Sequence, residues 1–261
     1  MSVLETEIMN FEGNSWTVRD ASTGLICFGM TGSGKSSGPL RSIAMRYLEL
    51  GYGGIVFCAK PDECATWIAY AREKSREKDI ILLSRETFCF LDYEFSRPAD
   101  SGGGQVENLV NLYLEIVNMG KDKRNSGGGN EEYWNNAVKQ LLRNAITILQ
   151  MAQQPINIEN IHEIIVSAPS ASSETVEEKG YCSNLLDVVI PREFCDTPEY
   201  QIAHTFFYEE FAYLDERTRS NTISSFSVAA DSMQRGELAR CFSAEQSTLQ
   251  LEDLYRKGKI L

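Results

Sequence analysis

"LICFGMTGSGKSSGP", from Leu25 to Pro39, decides how the rest of the chain reads. Its apolar opening, Leu25 to Phe28, lies between Gly24 and Gly29 and suits a buried strand leading into a glycine loop. Gly29, four residues, then Gly34, Lys35 and Ser36 satisfy the P-loop pattern G-x-x-x-x-G-K-[ST], with a strand expected before it and a helix after it. Glycines 29, 32 and 34 permit backbone angles that turn successive amides inward around a β-phosphate. A helix expected to start near Lys35 adds the positive end of its dipole. Pro39 falls early in that helix, where a missing amide costs least. Lys35 is expected on the β- and γ-phosphates and the Ser36 hydroxyl on Mg²⁺. The expected nucleotide-binding set is Gly29, Met30, Thr31, Gly32, Ser33, Gly34, Lys35, Ser36 and Ser37, with Ser36 as metal ligand and ATP and Mg²⁺ as cofactors. The bland alternative is a glycine-rich strand-to-helix turn with a chance lysine.

Outward from the loop, "SIAMRYLEL" has the apolar spacing of a helix closed by Gly51. "GGIVFCAK", Gly53 to Lys60, reads as a second buried strand, and "IILL", Ile80 to Leu83, as a third. Between them "DECATWIAYAREKSREK" begins with Asp62 and Glu63 and ends with Arg76 and Lys78, charges placed as a helix dipole prefers. Strand, helix, strand, helix, strand predicts an α/β fold with a parallel sheet and crossover helices. The glycine clusters Ser101–Gln105 and Asn125–Asn130 read as loops, and "VENLVNLYLEIVNM" between them as a helix. From Glu131 a further helix places Trp134, Val138, Leu141, Leu142, Ala145 and Leu149 on one face. Beyond Gln153 the pattern turns helical, with "PSASSETVEEKG" as a polar surface loop.

The chain has 261 residues, 25 Lys plus Arg against 37 Asp plus Glu, and a net charge of −12. Taken as a whole surface, that acidity repels phosphate backbones and argues against unaided DNA binding. The 7 cysteines form no CxxC pair, and with only two histidines they read as reduced thiols in a cytosol. No apolar run approaches the ~18 residues of a membrane span, and the acidic start is unlike a signal peptide. A cytoplasmic place is expected.

Hydrolysis needs more than a P-loop: a strand ending in an acidic residue that holds the Mg²⁺ water shell, with a carboxylate to orient water. "FFYEE", Phe206 to Glu210, has that outline but sits inside a helix-like segment. "LLDVV" places Asp187 mid-run, and Asp62 and Asp92 follow no motif. Arg217 and Arg219 in "LDERTRSN" read either as an arginine that a ring neighbour contributes or as a helix-surface pair with Asp215 and Glu216.

The order of these features resembles the type IV secretion and conjugation coupling proteins (TraG/TraD-like), ATPases of the FtsK/HerA P-loop superfamily. "FGMTGSGKSSG" is similar to their Walker A, "GGIVFCAKPDE" to their second strand, and "FCFLDYEFSRP" to a short segment after their third. "YWNNAVKQLLRNAITIL" resembles a family helix opening with an aromatic and Trp, and "LQLEDLYRKGKIL" the approach to the next core strand. Cys58 stands where the family often has Asp. The resemblance implies a RecA-like P-loop core with an inserted mainly helical domain: 1–153 as the first half of the core, 154–240 as the insertion and 241–261 as the return segment. It implies a homo-oligomeric ring of six, a DNA or secreted-protein substrate, secretion-channel components as partners, and a place at the cytoplasmic side of the inner membrane. It also implies that only the N-terminal part of such a motor is here, because the family's Walker B strand would follow "GKIL". The function expected is an ATP-binding module of a translocating motor, with ATPase activity in the full assembly. Two alternatives stand beside it: a non-hydrolysing ATP-binding interaction protein, and a small-molecule P-loop kinase with "AREKSREK" as a basic lid.

Overall fold

The computed structural model describes residues 3–119, 130–171 and 180–261, which fall into two compact units. One comprises Met1–Arg85 with Gln250–Leu261, the other Glu86–Leu249.

The first unit opens with an antiparallel hairpin, β1 (Glu7–Phe11) and β2 (Asn14–Thr17). Its turn places Glu12 at φ 52° and Gly13 at φ 92°, the paired left-handed geometry whose twist matches the flanking strands. Thr17 ends β2 and caps α1 (Val18–Ala21), its amide donating to the Asp20 carboxylate at 2.8 Å. α2 (Pro39–Glu49) buries Ala44 and Leu48 and is tied to β1 by Arg46 Nε donating to the Ile8 carbonyl at 2.7 Å. The rings of Trp16, Tyr47 and Tyr52 continue that contact edge to face.

α3 (Pro61–Glu73) starts with Pro61 in its first turn, and the Glu63 carboxylate accepts from the amides of Ala59 and Lys60 at 2.7 and 3.2 Å. It ends earlier than the charge pattern predicts, because Ser75 turns left-handed at φ 59°. Arg76 therefore lies beyond the helix and points inward, donating to Asp79 at 3.0 Å, to the Tyr52 carbonyl at 2.7 Å and to the Gly258 carbonyl. Its role is to fasten three backbone segments rather than to complement a dipole.

The expected α/β, RecA-like parallel sheet is absent: among the described residues the one sheet is the hairpin β1–β2, and the chain is mainly helical. Leu25–Phe28, expected as a buried strand, pairs with nothing, and Leu25, Ile26 and Phe28 are 54%, 74% and 84% exposed. The other two expected strands reach only isolated parallel bridges, Gly54↔Ile260 and Ile80↔Ile260. An apolar run shows that a segment gains by burial, but a strand also needs a ladder of partners, and the run does not supply one.

The second unit is helical: α4 (Phe90–Ser96), α5 (Val106–Met119), α6 (Asn130–Met151), α7 (Ile158–Val166), α8 (Tyr181–Asn184), α9 (Pro198–Thr205), α10 (Glu216–Asp231) and α11 (Gly236–Phe242). α12 (Glu252–Arg256) belongs to the first unit. α6 runs through the core and buries Val138, Leu141, Leu142, Ala145, Ile146 and Leu149, the face its 3.6-residue period predicts. The Trp134 side chain, residues 125–129 of the second glycine cluster and residues 172–179 of the polar loop lie outside the described residues. The first glycine cluster is a loop, with Gly102 and Gly104 at φ 75° and 73°. The long helical pattern after Tyr200 is two helices: a π-helical turn, Phe206–Glu210, closes α9, and α10 starts afresh where Asp215 accepts from the Thr218 amide at 3.0 Å.

Candidate functional site

Loop 29–37 sits between the unpaired segment 25–28 and α2, and every residue in it except half-buried Lys35 is exposed. Gly32 and Gly34 hold φ 78° and 82°, so their left-handed backbone is the reason glycine is required there. Gly29 makes room for side chains instead: a β-carbon there would lie 2.7 Å from Ser33 Oγ and 3.0 Å from the Lys35 stem, so both would have to shift. Lys35 curls back over the loop, its Nζ donating to the carbonyls of Gly29 at 2.5 Å and Met30 at 2.7 Å. The ammonium is thereby held inside the turn that the glycines make.

The helix expected near Lys35 begins at Pro39 with Gly38 as its cap. Pro39 has no amide for the Lys35 carbonyl, which accepts from the Leu40 amide at 3.1 Å, and proline disfavours helical angles at the residue before it. A single helix-like bond, Gly38 amide to Gly34 carbonyl at 2.8 Å, bridges the gap. Thr31 to Ser37 thus precede the regular helix, and the dipole's positive end lies one turn later than the motif predicts.

The residues present fit a phosphate group bound with its cation. The loop is exposed, Gly32 and Gly34 hold the positive φ that such an anion cradle uses, and the exposed Ser36 follows Lys35. Among the described residues no cluster of three or more His, Cys, Asp or Glu could hold a metal by itself. A Mg²⁺ here would take its ligands from the Ser36 hydroxyl, phosphate oxygens and water.

None of the candidate hydrolytic carboxylates stands at the end of a strand. Glu209 and Glu210 lie exposed in the π-helical turn of the second unit, where Glu210 accepts from Gln140 Nε2 at 3.1 Å. Asp187 lies in another π-helical turn, Leu185–Val189, and accepts from the Tyr208 hydroxyl at 3.0 Å. Asp92 belongs to α4 of the second unit, and Asp62 is exposed in the first turn of α3.

Comparison with protein-family models, with curated proteins and with solved structures finds no match to this chain. The weight therefore rests on the loop and on the residues around it. Arg219, read from the sequence either as a ring neighbour's arginine or as part of a helix-surface pair, is half-buried: it donates to the carbonyls of Phe211 at 2.9 Å and Ala168 at 2.6 Å and lies 4.4 Å over the Phe211 ring. Burial pushes its guanidinium below the usual arginine range. It holds the break between α9 and α10, whereas Arg217 is exposed. In "AREKSREK", Arg72 pairs with Glu77, Lys74 lies 3.7 Å from Glu49 and Arg76 is locked inward. The role of Arg76 escaped the sequence because two of its partner stretches, around Tyr52 and at Gly258, are distant along the chain. The left-handed break at Ser75 carries no glycine to announce it in the sequence.

Among the described residues no helix is long and apolar enough to cross a membrane.

Proposed function

We propose that loop 29–37 binds ATP with Mg²⁺, and that the chain serves as the ATP-binding module of a coupling-protein-like motor that moves DNA or protein in conjugation or type IV secretion. In that reading it works in a ring of six at the cytoplasmic side of the inner membrane. The observation that carries the binding half is the Lys35 ammonium, held on the Gly29 and Met30 carbonyls inside a loop with left-handed Gly32 and Gly34. Lys35 exchanges those carbonyls for β- and γ-phosphate oxygens when nucleotide enters. The motor half rests on the ordered resemblance of the sequence segments.

A second reading, ATP binding without hydrolysis, is favoured by the placement of the acidic candidates. Glu209, Glu210 and Asp187 sit on π-helical turns rather than at a strand end. The kinase reading draws no support from segment 71–78.

Calorimetry with ATP and Mg²⁺ on the intact chain and on Lys35→Ala tests the binding half. Loss of a charge-assisted contact worth about 1.5–3 kcal/mol weakens affinity roughly 10- to 100-fold. Thermal stability stays unchanged, because Lys35 bonds only within its own loop. Equal affinity of the two proteins removes the P-loop assignment. Steady-state phosphate release near the ~10 s⁻¹ typical of enzymes, abolished in Lys35→Ala, removes the non-hydrolysing reading and makes Glu209→Gln and Glu210→Gln the next variants.

A further inference from the structure

Cys58 and Cys64 line one groove of about 280 Å³ in the first unit, together with Ile55, Phe57, Trp67 and Ile81. They stand on either side of a tight connection: Cys58 follows the segment bridged to Ile260, and Cys64 lies in the second turn of α3. The connection is held by its own bonds, with Pro61 opening the helix and the Glu63 carboxylate gripping the amides of Ala59 and Lys60. That grip turns the chain back on itself, so that two residues six apart face the same groove. Cys58 is exposed and Cys64 half-buried, which gives a solvent-borne oxidant one open sulfur and a second behind it. Cys89, Cys182 and Cys241 are buried in contrast.

We infer that Cys58 and Cys64 are a redox-modification site, a dithiol that a peroxide closes to an intrachain disulfide across the entry to α3. The chemistry balances with hydrogen peroxide as oxidant. The Cys58 thiolate attacks one peroxide oxygen, the O–O bond breaks, and the departing hydroxide leaves as water, giving a sulfenic acid. The Cys64 thiolate then displaces that oxygen, which takes a proton and leaves as a second water while the S–S bond forms. Two sulfurs lose two electrons in all, and one peroxide becomes two waters. Local desolvation, then the neighbouring Cys64 and Glu63, push the Cys58 thiol above its usual range. Closure fixes the turn 58–64 and the wall of the groove that Trp67 shares.

The test is peptide mass after treating the full chain with hydrogen peroxide at about pH 8.5, near the free-thiol pKa, followed by alkylation of remaining thiols. Trypsin does not cut Lys60–Pro61, so both cysteines fall on one peptide, residues 47–72. The expected product is that peptide lighter by two hydrogens and carrying no alkyl group, restored to two alkylated thiols by prior reduction. The buried Cys89 and Cys182, whose thiols burial pushes up to about 11 and about 12, remain alkylated only after unfolding. Oxygen added at Cys58 while Cys64 stays alkylated overturns the pair, as does a crosslink from Cys58 to Cys27 or between chains. Two free thiols after treatment that oxidises a model dithiol overturns it too. The wild-type chain alone decides, and Cys64→Ser, which leaves Cys58 as a trapped sulfenic acid or mixed disulfide, assigns Cys64 as the resolving sulfur.

Discussion

Gly53 and Gly54 are neighbours, yet only the first must be glycine. A β-carbon on Gly53 would run into the carbonyl oxygens of Leu254 and Lys259, whereas one on Gly54 meets nothing within 4 Å. Gly258 answers from the other side: it sits at φ 65°, and its β-carbon would lie 2.5 Å from the Gly51 carbonyl. Gly53→Ala forces backbone against backbone, and overpacking of that kind typically costs about 1–3 kcal/mol. Gly54→Ala, lacking any such contact, stays within about 0.5 kcal/mol of the parent. Urea titrations of the two variants check this, and coincident midpoints contradict the close approach. The pair also shows what a single residue discloses in the sequence. Gly32 and Gly34 could be read because the loop that needs them is local and its pattern is fixed by its own backbone. The need at Gly53 could not, because the atoms that exclude a side chain there are contributed some 200 residues later.

Among elements, the same distinction separates the helices that were legible from the strands that were not. The buried face of α6 follows from its own 3.6-residue period. Leu25–Phe28 and Gly53–Lys60 carry equally apolar runs, but strand formation depends on partners, and these segments find none or a single bridge. Backbone bonds fasten the second to the stretch 259–261, Gly54 amide to Lys259 carbonyl at 3.0 Å and Val56 amide to Leu261 carbonyl at 2.8 Å, and a polar knot holds that stretch in turn: Arg76 and Lys259 both reach Asp79, at 3.0 Å each, with Arg76 and Asp79 only 11% and 17% exposed. Burial alone would raise the Asp79 carboxyl, but hydrogen bonds from Lys259 and Arg76, with their charges, outweigh it and hold the group below its ordinary 3.8. A depressed carboxylate contributes stability that is present above the unfolded-state value and is lost as pH falls through the lower folded-state value. Asp79→Asn is therefore less stable than wild type at neutral pH by about 1–3 kcal/mol, and the two proteins converge in acid below the folded-state value. Denaturant midpoints measured from neutral pH down through that window report it. A difference that persists unchanged in acid shows that the knot acts through shape rather than charge.

For the whole molecule, the net charge of −12 conceals a division. Residues 86–249 carry 25 acidic and 12 basic side chains, while the remainder carries 12 and 13. The unit holding loop 29–37 is close to neutral, so the chain's overall acidity is no argument against a polyanionic ligand at that loop. The division also bears on where the chain may be cut. The sequence pattern groups α4, α5 and α6 with the loop, since an amphipathic helix declares an apolar face without declaring what covers it. In the structure Leu91, Leu109, Tyr113, Leu141 and Leu149 share one core with Ile158, Ile165, Leu185, Phe207 and Phe226. A cut near Gln153 splits that core, and a cut at Arg85 and Leu249 leaves it whole. Each large side chain buried there stabilises by about 1.5–3 kcal/mol, and the set closes on itself without residues of the first unit. The fragment 86–249 is thus expected to fold alone, with a helical circular dichroism spectrum and one cooperative urea transition, its slope in the ~1–3 kcal/mol/M range of a small domain. The fragment 1–153 lacks half of the shared core and unfolds without a sharp midpoint. Within the excised unit, Phe207→Ala removes a fully buried ring and lowers stability by about 3–5 kcal/mol. A broad transition for 86–249, or a sharp one for 1–153, contradicts the division into these two units and returns α4 to α6 to the P-loop half.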